Sequence, residues 1–247
     1  MPHFYELSSI WVYLSASPLM GLTLTLCAYV VAFSIYRRLG FSPLANPVAM
    51  AIAMIVLILT LTGTSYQSYF SGAQFVHFLL GPATVALAIP LARQVQRLKR
   101  NFVALMAGLL AGSATAIVSS ISLVALFGGG RPLAVSAAPK SATTPIAMAV
   151  AETFDGLPAL TAVLVISTGI FGAISARFLF NMLRIRTPEI RGFALGVASH
   201  GIGTARAFQV NAEMGAFAGL GMGLNGVLTA VLTPWLLPRI TAWFYGA

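Results

Sequence analysis

Long apolar runs separated by short polar segments dominate the pattern of this chain. A helix needs about 20 predominantly apolar residues to span a bilayer, so runs of this kind predict membrane-spanning helices. The pattern therefore predicts an all-α, polytopic integral membrane protein. The clear spans are Leu19–Tyr36, Pro47–Thr62, Phe75–Ala92, Phe102–Phe127, Leu157–Phe180 and Gly215–Leu236.

Two further apolar segments, Ser141–Ala151 and Gly192–Phe208, are interrupted by helix-disturbing or small residues. With them the chain has about 7–8 transmembrane or re-entrant helices. Irregular backbone at membrane depth is tolerated only where it lines a cavity or is buried in protein. These segments are therefore predicted to be broken helices beside a cavity.

Three clusters of basic residues lie in the loops, at Arg37–Arg38 and within residues 93–100 and 177–191. The first apolar run is followed by Arg37–Arg38, which places the N-terminus outside and this loop in the cytoplasm. The third cluster is cytoplasmic only if Ser141–Ala151 dips into the membrane and returns. We therefore expect a re-entrant or broken element there.

Composition supports the same class, because 58% of the 247 residues are hydrophobic and 8% are charged. Soluble domains carry about 25% charged residues. The net charge of +9 would suggest nucleic acid in a soluble protein, but here the basic residues fit membrane orientation, and we expect no nucleic-acid partner. We expect one membrane domain, residues 1–247, with repeat halves at about 19–130 and 140–238.

Gly/Pro-interrupted segments in corresponding halves indicate a transporter site built from inverted repeats. The candidate pair is LLGPATVALAIPL, residues 79–91, and KSATTPIAMAV, residues 140–150. Pro82 breaks a helix locally, Gly81 allows close approach, and Thr84 adds a hydroxyl. The alternative for this first segment is a simple proline kink.

The second segment combines a cation with the start of a helix. Ser141, Thr143 and Thr144 are capping residue types, and Pro145 suits a first helical turn. Free amides, hydroxyls and the nearby Lys140 together form an anion site. The alternative is an ordinary capped helix end at the interface, with Lys140 among the lipid headgroups.

His200 lies among small residues that include Gly201 and Gly203. A histidine in a membrane segment is a functional hypothesis by default, and it can carry a proton near neutral pH. Thr204 shares its face if the helix is regular. The alternative is a neutral histidine that is hydrogen-bonded across a helix pair.

Other charged residues admit two interpretations. Arg206 could clamp a carboxylate, or it could mark the membrane boundary, snorkel or pair with Glu213. Glu213 itself is a candidate coupling acid. Glu152 and Asp155 flank a Gly-Leu-Pro turn, where they are either solvated loop acids or part of the coupling of an ion or proton.

No enzyme signature is present. GIGTAR fails the dinucleotide-binding pattern, the three histidines and the single Cys27 have no metal-ligand spacing, and no GxSxG segment occurs. We expect no catalysis, no cofactor and no metal. Gly215, Gly219 and Gly223 form a small-residue face that predicts close helix packing.

Four ordered blocks between about Tyr66 and Pro234 resemble the LrgB/CidB membrane-protein family. They are YQSYFSGAQFVHFLLGPATVALAIPL, KSATTPIAMAVAE, RGFALGVASHGIGTARA and GAFAGLGMGLNGVLTAVLTP. Ala92 departs from the family, which commonly has a tyrosine after the PL. The blocks contain the polar residues that we singled out: Thr84, Lys140, Ser141, Thr143, Thr144, His200, Thr204 and Arg206.

The resemblance implies a multi-pass protein of the cytoplasmic (inner) membrane. Bacterial members are named antiholin-like, as modulators of murein hydrolase export and lysis, and often accompany a small LrgA/CidA partner. A related plant plastid protein transports glycolate and glycerate, and bacterial relatives are linked to pyruvate uptake.

We therefore expect a secondary transporter of a small monocarboxylate, with proton coupling through His200 as one option. The alternative is an antiholin-like regulator. We also expect a homo-oligomer.

Overall fold

The computed structural model describes residues 18–79, residues 82, 85, 86 and 89, and residues 92–246. The regular elements in this part of the chain are all α-helices. The chain forms two compact units, residues 1–86 and 87–247. The helices are α1 (Pro18–Arg38), α2 (Pro47–Thr62), α3 (Tyr66–Phe78), α4 (Val95–Arg100), α5 (Phe102–Leu126), α6 (Arg131–Ala137), α7 (Thr144–Glu152), α8 (Pro158–Met182), α9 (Pro188–Val210) and α10 (Ala212–Tyr245).

The predicted spans agree closely with α1, α2, α5 and α8, whereas α10 continues past its predicted end through Pro234 and Pro238. Among the described residues, α1, α5, α8 and α10 are long and apolar enough to cross a membrane, and α2 is apolar but shorter. The protein is thus a multi-pass membrane protein. The count of about 7–8 helices, the inverted repeat and its halves stay predictions.

The predicted span Phe75–Ala92 begins inside α3, which ends at Phe78. Gly81 and Thr84 lie outside the described residues. Pro82 is helical and exposed. The proposed kink in this segment therefore stays a prediction.

Small residues bring the helices of the first unit together. Ala28 and Ala32 of α1 form an apolar cluster with Ala51 of α2. Thr25 of α1 is hydrogen-bonded to the hydroxyl of Tyr69 in α3, with 2.7 Å between their oxygens. This close packing leaves the larger apolar side chains on the outside of these helices, as expected for a lipid-facing surface.

The helices of the second unit define two ends. At one end, which we call the basic end, Arg97 of α4 pairs with Glu189 and Glu213 in the first turns of α9 and α10. At the other, the far end, the Tyr245 hydroxyl at the end of α10 donates to the Gly129 carbonyl just after α5, at 2.8 Å. Thus α5 and α10 both run from the basic end to the far end.

The segment between α5 and α8 leaves and rejoins the far end. Ser136 of α6 accepts a hydrogen bond from the Leu157 amide at 2.8 Å, and its carbonyl accepts one from Thr161, which ties α6 to the start of α8. The intervening turn, residues 138–143, reaches Asn225 in the middle of α10. We call α6, this turn and α7 the far-end hairpin. The predicted re-entrant segment, Ser141–Ala151, supplies only the end of the turn and the second arm of this hairpin, and its re-entrance into the membrane stays a prediction.

Helix α9 is also a hairpin. It contains two non-helical residues, Ser199 (φ −129°, ψ 16°) and His200 (φ 42°, ψ −134°). A straight helix of its 23 residues would be about 34 Å long, yet Arg97 contacts both the start of α9 and the start of α10, which follows it directly. The chain therefore reverses at Ser199–His200.

Packing confirms the reversal. A Cβ added to Gly203 would lie 2.7 Å from the Leu195 carbonyl oxygen, eight residues earlier, and Leu195 shares an apolar cluster with Ala207. We call α9 the basic-end hairpin, with half-helices at residues 188–198 and 201–210. The condition under which Thr204 would share a face with His200, a regular helix, is not met, because the backbone turns back at Ser199 and His200.

Close backbone contact joins the first half-helix of α9 to α10. Gly192 lies against the backbone of Met214, and Gly196 lies against that of Ala218, so a Cβ at either glycine would clash. Glycines one turn apart allow this approach. The predicted packing face was only partly correct: Gly215 contacts the ring of Phe208, but Gly223 faces open space.

Candidate functional site

An elongated cavity of about 830 Å³ lies in the second unit, between α5, α8 and α9. Its wall follows α5 from Asn101 to Ala116, a distance of about 22 Å. Along α9 it extends from Thr187 to Ser199. Because α5 and α9 both start at the basic end, the outer end of the cavity lies there and the inner end lies near Ser199.

The tips of the two hairpins meet at the inner end. Lys140 and Ser141 come from the far-end hairpin, and Ser199 comes from the basic-end hairpin. Lys140 is half-buried, whereas Ser141 and Ser199 are buried. The inner end thus combines one cation with hydroxyl groups inside an otherwise mainly apolar cavity.

The Ser199 side chain is 1% exposed, and its Oγ has no hydrogen-bond partner among the described residues. Gly172 of α8 makes room for it, because a Cβ at Gly172 would clash with this oxygen. A buried hydroxyl without a partner costs free energy, so such a group in a cavity wall is suited to bind a ligand. Nothing in the sequence marks Ser199 as a site residue, because it lies among other small residues.

The turn that carries Lys140 is held by Asn225 of α10. Asn225 Nδ2 donates to the Ser141 carbonyl at 2.9 Å, and Asn225 Oδ1 accepts from the Ser113 hydroxyl of α5 at 2.6 Å. All three polar groups are buried. Asn225 was not predicted either, although the sequence carries a signal for it: an amide side chain inside an apolar helix, where such groups form hydrogen bonds to other helices.

His200 is directed away from the cavity. Its ring is 4% exposed, and Nε2 donates to the Val165 carbonyl of α8 at 2.9 Å. Gly169 of α8 allows the ring to approach, because a Cβ there would lie 2.7 Å from Cε1. This geometry corresponds to the alternative interpretation, a histidine hydrogen-bonded across a helix pair. Thr204 donates to the His200 carbonyl at 2.9 Å.

The predicted residues at the start of α7 have the expected positions but not the expected capping bond. Thr143 is the N-cap, Thr144 begins the helix, and Pro145 follows. However, the Thr143 side chain makes no capping hydrogen bond, so the prediction that its hydroxyl caps α7 was wrong. The start of α7 directly follows the turn with Lys140, but Thr143, Thr144 and Pro145 do not line the cavity.

The remaining charged candidates lie elsewhere. Arg206, on the returning half-helix, donates to Gln209 at 3.4 Å and does not line the cavity. Glu213 pairs with Arg97, and its pairing with Arg206 stays a prediction. Glu152 and Asp155 are exposed at the end of α7, as the surface interpretation expects.

Within the described part of the chain, no group of three or more His, Cys, Asp or Glu side chains is placed to hold a metal ion. Cys27 is exposed on α1.

Comparison with known proteins extends over nearly the whole chain. The family model described as LrgB-like matches residues 25–238. The chain is 35% identical to a Bacillus subtilis protein named uncharacterized protein YwbG, over 89% of this chain and 97% of that protein. It is 30% identical to the holin-like protein CidB of Staphylococcus epidermidis (87% and 93% covered) and 29% identical to the antiholin-like protein LrgB of Bacillus mycoides (91% and 97%). No solved structure matches.

Proposed function

The chain belongs to the LrgB-like family, and we propose that it is a carrier for a small monocarboxylate of the glycolate, glycerate or pyruvate class. The observation that supports this function is the inner end of the cavity. There the tips of two hairpins place Lys140 and Ser199 in the wall of one cavity, and the Ser199 hydroxyl has no partner among the described residues.

These groups suit a carboxylate. An ammonium group and a hydroxyl donate hydrogen bonds that are strengthened by the charge of the acceptor. The amides at the start of α7 add a positive helix end beside Lys140. The cavity volume of about 830 Å³ falls within the range that is typical of sites for small molecules. A carboxylate therefore supplies the acceptor that the Ser199 hydroxyl lacks.

The two hairpins also suggest how the substrate crosses the membrane. Asn225 ties the tip of the far-end hairpin to α10, whereas His200 ties the tip of the basic-end hairpin to α8 through one hydrogen bond. The first half-helix of the basic-end hairpin is held against α10 at Gly192 and Gly196, so a movement of the hairpin tip beyond Gly196 would open the site to the other side. Proton coupling through His200 stays a prediction, because its ring is hydrogen-bonded to α8 and does not line the cavity.

The test is uptake into proteoliposomes. Purified protein should take up radiolabelled glycolate, glycerate or pyruvate, and a proton gradient should increase the rate. Lys140→Gln should reduce uptake at least tenfold, because the substrate charge loses its partner. Lys99→Gln removes an equal charge from the exposed surface of α4 and should leave uptake unchanged.

Failure of folded wild-type protein to take up any of the three acids would overturn the carrier. Equal loss of uptake in both lysine variants would show that Lys140 has no specific role.

A second candidate is an antiholin-like regulator of murein hydrolase export that acts through a small holin-like membrane partner. The names of the relatives CidB and LrgB favour this function more directly than transport. A regulator needs packing surfaces rather than a polar cavity. If the protein is such a regulator, the Lys140→Gln variant should affect autolysis in cells as the wild-type protein does. The wild-type protein should also co-purify with the small partner. Location in the cytoplasmic membrane and homo-oligomerisation belong to both proposals.

A further inference from the structure

Arg97 connects three elements at the outer end of the cavity. Its guanidinium, on α4, lies 3.1 Å from Glu189 and also pairs with Glu213. Glu189 is part of the cavity wall, and its side chain is 12% exposed. The Arg97 side chain is 50% exposed, so solvent reaches this cluster.

Both carboxylates occupy first turns of helices, Glu189 in α9 and Glu213 in α10. The positive end of a helix favours the ionised form of such groups. Without a cation between them, Glu189 would carry an uncompensated negative charge in the cavity wall, and Glu213 would add a second one next to it. A guanidinium suits this place, because it stays charged and presents several N–H donors in different directions.

We propose that Arg97 is a specificity-determining residue that offsets Glu189 and Glu213, so that anions can enter the cavity from the basic end. This inference rests on the carrier function proposed above. It differs from a purely structural role, in which Arg97 only ties α4 to α9 and α10. The two roles give opposite results when the carboxylates, rather than the arginine, are removed.

The first experiment measures uptake of radiolabelled glycolate at low ionic strength. Arg97→Gln should raise KM about tenfold with little change in kcat, and added salt should reverse part of the effect. Arg97→Lys should restore most of the affinity. Arg131→Gln removes the same charge from an exposed position at the start of α6, beyond the far end of α5, and should change nothing.

The double variant Glu189→Gln/Glu213→Gln separates the two roles. If Arg97 acts by offsetting charge, this variant keeps or improves the affinity for glycolate, and it rescues Arg97→Gln when combined with it. If Arg97 is only a tie, the double variant loses the same contacts and takes up as little as Arg97→Gln. The latter result, or a loss that salt does not reverse, would overturn the inference.

A second experiment needs no transported substrate. Ala194 is exposed and lines the cavity between Glu189 and Ser199, so Ala194→Cys in a Cys27→Ala background reports on the charge there. The ratio of its reaction rates with an anionic and a cationic methanethiosulfonate reagent should fall about tenfold in Arg97→Gln. An unchanged ratio refutes the electrostatic role whether or not glycolate is carried. A changed ratio without glycolate uptake supports it and refutes only the carrier.

Discussion

Two neighbouring residues at the tip of the basic-end hairpin face different surroundings. Ser199 lines the cavity, while the His200 ring is bonded to a carbonyl of α8. His200 has φ 42°, a value that is strained for a residue with a side chain. Gly169 and Gly172, nearly one turn apart on α8, give room to the His200 ring and the Ser199 hydroxyl respectively. The packing of α8 therefore fixes both side chains, and the reversal of the chain separates them.

The free hydroxyl of Ser199 leads to a prediction about affinity. A hydrogen bond to a charged group contributes about 1.5–3 kcal/mol, so Ser199→Ala should weaken the binding of glycolate at least tenfold. The melting temperature should not fall, because the hydroxyl has no partner in the described part of the protein to lose. Equilibrium binding and thermal unfolding in detergent measure the two effects.

Thr233→Val is the matched control for this prediction. Thr233 Oγ1 is likewise buried without a hydrogen-bond partner among the described residues, but Thr233 lies on α10 away from the cavity. Its replacement should change neither binding nor stability. Equal binding by Ser199→Ala and wild-type protein would show that the hydroxyl has no role in the site.

The sequence indicated part of this site for a physical reason. An ionisable residue in an apolar chain is conspicuous, because its burial is costly; this drew attention to Lys140 and His200. A serine among glycines and alanines is not conspicuous, since its hydroxyl commonly bonds to the carbonyl four residues earlier in a helix. Ser199 escapes that bond only because the helix ends there, which requires knowledge of the backbone.

At the scale of elements, hydropathy predicted the long helices well and the hairpins less well. The bounds of α5 and α8 follow from apolar runs of the length that a membrane demands. The interrupted segment Gly192–Phe208 was recognised as broken, but neither the position nor the direction of its turn could be inferred. No proline marks Ser199–His200. The reversal depends on Gly192 and Gly196, which bring α9 against α10, and on contacts with residues far along the sequence.

Asn225 holds the far-end hairpin, and its removal should affect that element as a whole. Asn225→Ala leaves the Ser141 carbonyl and the Ser113 hydroxyl without this partner. Each lost partner of a buried polar group costs about 1–3 kcal/mol in water-soluble proteins and less in membranes. We expect a lower melting temperature and a higher KM for glycolate, because the turn with Lys140 is no longer fixed.

Thr229→Val is the control in the same helix, one turn further on. Thr229 Oγ1 is 3.4 Å from Asn225 Oδ1, a weak contact at most, so this buried isosteric change should leave both measurements near those of the wild type. An Asn225→Ala protein with the wild-type melting temperature and KM would show that the hydrogen bonds do not position the turn.

In the whole second unit, two hairpins enter from opposite ends and meet at one cavity. Neither hairpin is long enough to cross a bilayer in one direction: α6 and α7 have 7 and 9 residues, and each half of α9 has about 10. Their polar tips are buried by α5, α8 and α10, which satisfies the rule that irregular backbone at membrane depth needs protein around it. This arrangement explains why polar residues occur in both interrupted segments, Ser141–Ala151 and Gly192–Phe208.

The hairpin form of α9 makes a prediction about sidedness. In a Cys27→Ala background, Arg186→Cys and Val210→Cys place single thiols at exposed positions just before and at the end of α9, and Asp155→Cys places one near the start of α8. A membrane-impermeant maleimide should label positions 186 and 210 from the same side and position 155 from the opposite side. The basic residues near α4 and α9 predict that positions 186 and 210 are cytoplasmic, and therefore labelled in inside-out vesicles.

Labelling after detergent treatment serves as the control, because it shows that all three thiols can react. If α9 crossed the membrane as one helix, positions 186 and 210 would react from opposite sides; that result would remove the basic-end hairpin, and with it the meeting of the two tips at Lys140 and Ser199.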